Sequence, residues 1–237
     1  TGGKNYISAP ESSGSQTYGA AVVLGDDVAL DAGGNVSFLS TLDGAQQLSI
    51  EADGHVGIAG AVDVGALSID AGSFVAGAGM HTSGDLSLSV QAGGIEQLGA
   101  FVVGGESSFD AGAGDIDLTH AGNSFAGTVS LAGDTVSIND VGALELGTLA
   151  TGDLNVTSDG TLDLGSGIVA GNLQANSDGE AITQSGALSV SGTSTLNAGG
   201  ASISLTEGGN DFGGAVSLTG GVVSISDDNA LTLGTLS

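Results

Sequence analysis

The phrase "NDFGGAVSL" at residues 210–218 has a near twin, "NSFAGTVSL", at residues 123–131. Laid over each other without a gap, Phe109–Leu149 and Leu196–Leu236 share 23 identities in 41 positions at a constant offset of 87. The offset reaches further back: Gly94-Ile95-Glu96-Gln97 falls on Ala181-Ile182-Thr183-Gln184, and Asp85-Leu86 falls on Asn172-Leu173. At 88, Val28 and Leu30 fall on Ile116 and Leu118, and Leu48 and Ile50 on Val136 and Ile138. A period running through nearly the whole chain limits the fold to architectures in which each copy buries its apolar side against its neighbours.

Within the period, apolar residues alternate in short bursts, such as Val136 and Ile138, Leu154 and Val156, Val216 and Leu218. Each burst reads as a strand with two inward side chains and an outward one between them. The spacing of the bursts alone also allows a sandwich or a barrel. Neither needs the long period, which is too long for a hairpin but divides into about four coils of roughly 22 residues with about three strands each. The expected fold is therefore all-β: a parallel β-helix (solenoid) of about eleven coils, roughly 50 Å long at about 4.8 Å per coil. It is read as one continuous segment over residues 1–237, with residues 1–14 a less repetitive start.

Composition agrees with a thin core. The chain has 45 glycines, one proline, no Trp or Cys and only 3% aromatic residues, which suits a narrow lumen filled by Val, Leu, Ile and Ala with Gly and Asn at the corners. At 40% hydrophobic residues the chain is expected to fold in spite of a net charge of -26. Lys4 is the single basic side chain, so nothing neutralises a row of phosphates, and neither nucleic acid nor an anionic membrane surface is expected as a partner. No apolar run is long enough to span a bilayer and no basic, then apolar, leader opens the chain. Thr1 begins mid-phrase, the closing "LTLGTLS" matches the interior "LELGTLA", and the only methionine is Met80, so a segment of a longer protein is expected.

The residues also carry a family resemblance. The stretch "QTYGAAVVLGDDVALDAGGNVSFLSTLDGAQQLSIEADGHVGIAGAV", residues 16–62, and "ITQSGALSVSGTSTLNAGGASISLTEGGNDFGGAVSLTGG", residues 182–221, resemble the shaft repeats of filamentous-haemagglutinin-like exoproteins of Gram-negative bacteria. These are large adhesins exported by two-partner secretion or as autotransporters. The resemblance covers nearly all the chain after about residue 14, and its degenerate motifs speak to shaft architecture rather than to a particular ligand. It implies a right-handed parallel β-helix, export in an unfolded state to the outer-membrane exterior or beyond, and a role in attachment, biofilm matrix or cell-to-cell contact. Absence of cysteine fits that route, because a periplasmic disulfide obstructs threading. The acidity fits as well, since like-charged fibres repel each other sideways.

Candidate sites are few. Asp115 and Asp117 flank Ile116 and so face outward from one strand, where they offer oxygen ligands to Ca²⁺, the one cofactor candidate. The twin copy holds Ser202 and Ser204 there, which reads more simply as a solvated face. "SDDN" at 226–229 and "GDD" at 25–27 read as turns. His55, His81 and His120 lack metal-ligand spacing and read as surface or turn histidines. Phe125 and Phe212 read as core plugs behind turns at Asn123 and Asn210, while Tyr6 and Tyr18 are the aromatic rings left to stack on a glycan or to cover an end. Lyases on this fold need a base beside an acidic substrate, and hydrolysis by paired acids needs a cleft that separates their pKa values. Neither is visible, nor are the outward Thr-x-Thr ranks of an ice-binding face, so the chain is not expected to be an enzyme. The expected function is a structural shaft segment. The alternatives are a carbohydrate-binding segment for exopolysaccharide or host glycan, using outward Ser, Thr, Asn and Asp, and a self-associating matrix fibre.

Overall fold

The computed structural model describes residues 11–237, so Lys4 and Tyr6 lie outside the described residues. Among these residues there is no helix, and the strands pair in parallel. The expected parallel β-solenoid is therefore the fold, at about eleven turns. Two compact units divide the chain, one ending at Gly127 and one beginning at Thr128. In the first, Val28 pairs with Leu48, Leu48 with Leu67, Leu67 with Leu86 and Leu86 with Ser107, advances of 20, 19, 19 and 21 residues. In the second, Val136 pairs with Leu154, Leu154 with Leu173, Leu173 with Ser194 and Ser194 with Val216, advances of 18, 19, 21 and 22 residues. The coil is thus nearer 20 residues than the expected 22, and its length varies from 18 to 22 while inward ladders hold the strand register.

Those ladders are the core. Leu30, Ile50, Ile69, Leu88 and Phe109 stack in register through the first unit, each no more than 2% exposed. Ile138, Val156, Ala175, Leu196 and Leu218 do the same in the second. Each buried Val, Leu or Ile stabilises by roughly 1.5–3 kcal/mol. Larger rings fit where they interlock: Phe101, Phe109 and Phe125 lie in the first unit with centroids 6.4 and 5.9 Å apart, the second contact edge-on. Phe125 and Phe212 are buried, as core plugs should be.

Acidic and amide side chains hold the corners. Asp85 Oδ1 accepts the Glu106 N–H of the next coil at 2.9 Å, Asp27 Oδ1 accepts that of Gln47 at 2.9 Å, and Asn35 Oδ1 that of His55 at 2.9 Å. In the second unit Asp153 Oδ1 accepts the Asn172 N–H at 2.6 Å, and Asn172 Oδ1 accepts that of Thr193 at 3.0 Å. A corner amide that the ladder leaves unpaired is thereby satisfied by the coil before it. At Glu106 and Asn172 the approach requires glycine just ahead of the donor. A Cβ on Gly105 would lie 2.2 Å from Asp85 Oδ1, and one on Gly171 would lie 2.2 Å from Asp153 Oδ1.

Among the described residues, a buried amide clamp recurs in the two units at the 87-residue offset. In the first, Gln97 and Asn123 exchange hydrogen bonds at 2.7 Å in both directions, Asn123 Oδ1 accepts the Phe101 N–H at 2.9 Å, and Asn123 Nδ2 donates to the Leu118 carbonyl at 2.8 Å. In the second, Gln184 and Asn210 repeat the exchange at 2.7 and 2.8 Å, with the Leu188 N–H donating at 2.9 Å. Asn123 and Asn210 are wholly buried. Full satisfaction makes such a buried polar network tolerable, and its geometry admits one register between coils.

Candidate functional site

Asp115 and Asp117 face outward on either side of buried Ile116, as the alternation requires. Asp117 neighbours Glu96 in the ladder. Its Oδ1 accepts the Thr119 N–H at 3.2 Å and the Thr119 hydroxyl at 2.6 Å, so this carboxylate is engaged in its own turn. Calcium takes about six to eight oxygens, and among the described residues no three His, Asp or Glu side chains gather as a metal-holding group. The two turn motifs behave as turns. Asp227 Oδ1 accepts the Phe212 N–H at 2.9 Å, and Asp27 is bonded to its neighbours through Asp26 and Gln47.

The histidines are scattered as well. His55 Nδ1 lies 3.0 Å from Ser73 Oγ, His81 Nδ1 lies 2.7 Å from Asp63 Oδ1 on an exposed strand face, and His120 Nδ1 accepts the Gly122 N–H at 3.0 Å. Tyr18 is not a free stacking ring. It lies flat on Phe38 with centroids 4.8 Å apart, and its hydroxyl donates to Gln16 Oε1 at 2.7 Å. Burial pushes the Tyr18 hydroxyl above its usual 10.0. The strand alternation that turns Phe38 inward brings Tyr18 beside it in the adjoining coil, a contact that the sequence leaves invisible.

The most ordered array of polar side chains is an outward strand face. In the first unit it carries a serine rank, Ser49, Ser68, Ser87 and Ser108, and two residues along each strand a second rank of Glu51, Asp70, Ser89 and Asp110. Asp31 continues that second rank next to Glu51. In the second unit the corresponding ranks are Ser137, Asn155, Gln174, Thr195 and Ser217, and Asn139, Thr157, Asn176, Asn197 and Thr219. The repeat offset of 87 or 88 maps Glu51 to Asn139, Asp70 to Thr157, and Asp110 to Asn197. Twelve of the 27 carboxylates lie beyond residue 127, yet none stands on the second unit's two ranks. At one end of the strands Asp153 is tied to the Asn172 backbone and side chain, and at the other Asp159 and Asp178 stand two residues beyond Thr157 and Asn176. Sequence reading picks out outward Ser, Thr, Asn and Asp as a class. It does not separate a charged face from a neutral one, because that requires knowing which residues lie in register.

At the last coil, Val223, Ile225, Leu233 and Leu236 line an open apolar hollow with Leu218 and Gly220. Val223, Leu233 and Leu236 are 38, 51 and 57% exposed, while their twins Val136, Leu146 and Leu149 are covered by a following coil to 2% or less.

A family model described as "Repeats of unknown function (DUF5649)" matches residues 65–132 and 151–219. The matched stretches make up more than half of the chain and begin 86 residues apart, so the family's repeat is in step with the period of this sequence. No curated protein and no solved structure matches the chain.

Proposed function

Because the chain belongs to the family of repeats of unknown function (DUF5649) and is built of coils stacked in parallel, we propose that it is a structural shaft segment of a large secreted or cell-surface bacterial adhesin, acting in attachment, cell-to-cell contact or biofilm matrix formation. One observation carries the reading. The buried amides Asn123 and Asn210, and the corner side chains Asp27, Asn35, Asp85, Asp153 and Asn172, all bond from coil to coil and not towards a common cleft. Their chemistry is spent on stacking, as in a spacer whose stability is the sum of neighbouring coil interfaces. The charge of -26 supports the same use, since it keeps such units from adhering sideways. A shaft needs neither catalysis nor a resident cofactor.

The test is cellular. An antibody to the chain should label intact producing bacteria or their matrix, external protease should remove the label, and in-frame loss of the segment should lower adherence or matrix formation. Label confined to the cell interior, or adherence unchanged after loss of the segment, overturns the reading.

A further inference from the structure

The outward face of the second unit has a chemistry that a spacer does not require. We propose that the two polar ranks on strands Val129–Asp140, Leu144–Ser158, Leu173–Asn176, Ser194–Asn197 and Ala215–Thr219 bind an uncharged polysaccharide laid across the coils.

Charge selects the class of ligand. The second unit is acidic elsewhere, but its face has amides and hydroxyls where the first unit's twin face has Glu51, Asp70 and Asp110. An anionic polymer meets the repulsion of the whole chain, and a cationic one finds no carboxylate on these ranks to pair with. A polymer of neutral sugars meets neither obstacle. Side chains such as Asn155 and Gln174 carry both a carbonyl acceptor and an NH₂ donor, and Thr157 and Thr195 carry hydroxyls that do either, which is the complement of a sugar hydroxyl.

Geometry selects a polymer over a single sugar. Neighbours within a rank are about 4.8 Å apart and the two ranks are about 6.6 Å apart along the strand. The strands put them on one sheet face, so an extended chain of sugars finds a fresh donor and acceptor at every coil. Individual contacts to exposed polar groups are weak, and repetition along one ligand makes them add. Asn, Gln, Ser and Thr of different reach alternate within a rank, which suits hydroxyls at varying heights better than a crystalline lattice of water. The exposed apolar residues of this unit's interior coils, Val141 and Ile168, lie off these two ranks and give a protein partner no apolar anchor on them.

The experiment uses the whole 237-residue chain. Its migration is followed by affinity electrophoresis through hydroxyethyl cellulose, galactomannan and dextran, with anionic alginate as a comparison, and affinity is then measured calorimetrically. The expected result is saturable retardation by at least one neutral polymer and none by alginate. Thr157→Asp with Asn197→Asp, which writes the first unit's charges onto the second, should weaken that binding at least tenfold with an unchanged circular dichroism melt. Asp70→Asn with Asp110→Asn in the first unit should leave the second unit's binding in place. No retardation by any neutral polymer, retardation by alginate alone, or binding indifferent to the Thr157 and Asn197 changes overturns the proposal. None of these results bears on surface location or adherence, so the shaft reading stands or falls separately.

Discussion

A buried amide such as Asn123 is the residue on which the most depends, because one side chain satisfies the Phe101 N–H, the Leu118 carbonyl and both polar ends of Gln97. Each buried group left unpaired costs about 1–3 kcal/mol, so Asn123→Leu is expected to destabilise by roughly 3 kcal/mol or more, read from urea unfolding followed by circular dichroism. Asn123→Asp should be pH-dependent. The ionised form cannot donate to the Leu118 carbonyl, and burial favours the neutral acid, so the folded-state pKa lies above the unfolded value of about 3.9. Stability relative to the parent is then recovered as pH falls through the folded value and lost as it rises; melts at pH 7 and pH 4.5 that show the same deficit count against this account. Ser194 presents the opposite case. Its hydroxyl, like that of its twin Ser107, is buried with no partner. Removing an unsatisfied hydroxyl is close to neutral or stabilising by up to about 1 kcal/mol, so Ser194→Ala should melt at or slightly above the parent temperature.

At the scale of a strand and its corner, stability is local and spreads only to the adjoining coils. Val216 is fully buried between Ser194 and Leu233 in its ladder. Val216→Asp places a charge in that lumen, and limited proteolysis should then cut around residues 194–236 well before it cuts the first unit; equal resistance in mutant and parent would contradict the burial. Gly171→Ala sets a Cβ against Asp153 Oδ1, displaces the carboxylate from the Asn172 N–H, and should cost about 1–3 kcal/mol with the loss of that corner bond. The uncovered hollow at Val223, Leu233 and Leu236 gives a gain-of-stability prediction. Appending a copy of residues 151–171 after Ser237, which itself stands at the position of Ala150, supplies the coil that covers the twins Val136, Leu146 and Leu149, and should raise the melting temperature by several degrees.

For the whole molecule, charge governs association. The net charge of -26 keeps copies apart at neutral pH, and both added salt and approach to the sequence pI of about 4.1 weaken that repulsion. Sedimentation velocity should therefore show a monomer at pH 7 in low salt and larger species as pH approaches 4. Association already complete at pH 7 in low salt would instead favour the self-associating fibre. A polar face that carries no charge is then all the more distinctive in a molecule so acidic elsewhere.

The sequence by itself determined the repeat, the all-β class and the parallel stacking, because an 87-residue period with apolar residues on alternate positions leaves few other ways to bury them. It also placed Phe125 and Phe212 in the core and Asp115 and Asp117 on the surface, since the alternation assigns each residue its side. Coil length was less legible: corners vary from one coil to the next, and a mean spacing cannot show where the extra residues sit. Only the tertiary structure decided the register of Asn123 with Gln97, the stacking of Tyr18 on Phe38, and the alignment of Asn139, Thr157, Asn176 and Asn197 into one neutral rank. All three join residues 18 to 26 positions apart, through hydrogen bonds and ladders between coils. Alternation along a strand assigns a side chain to a face, but its neighbours across the coils are set by how many residues each corner consumes.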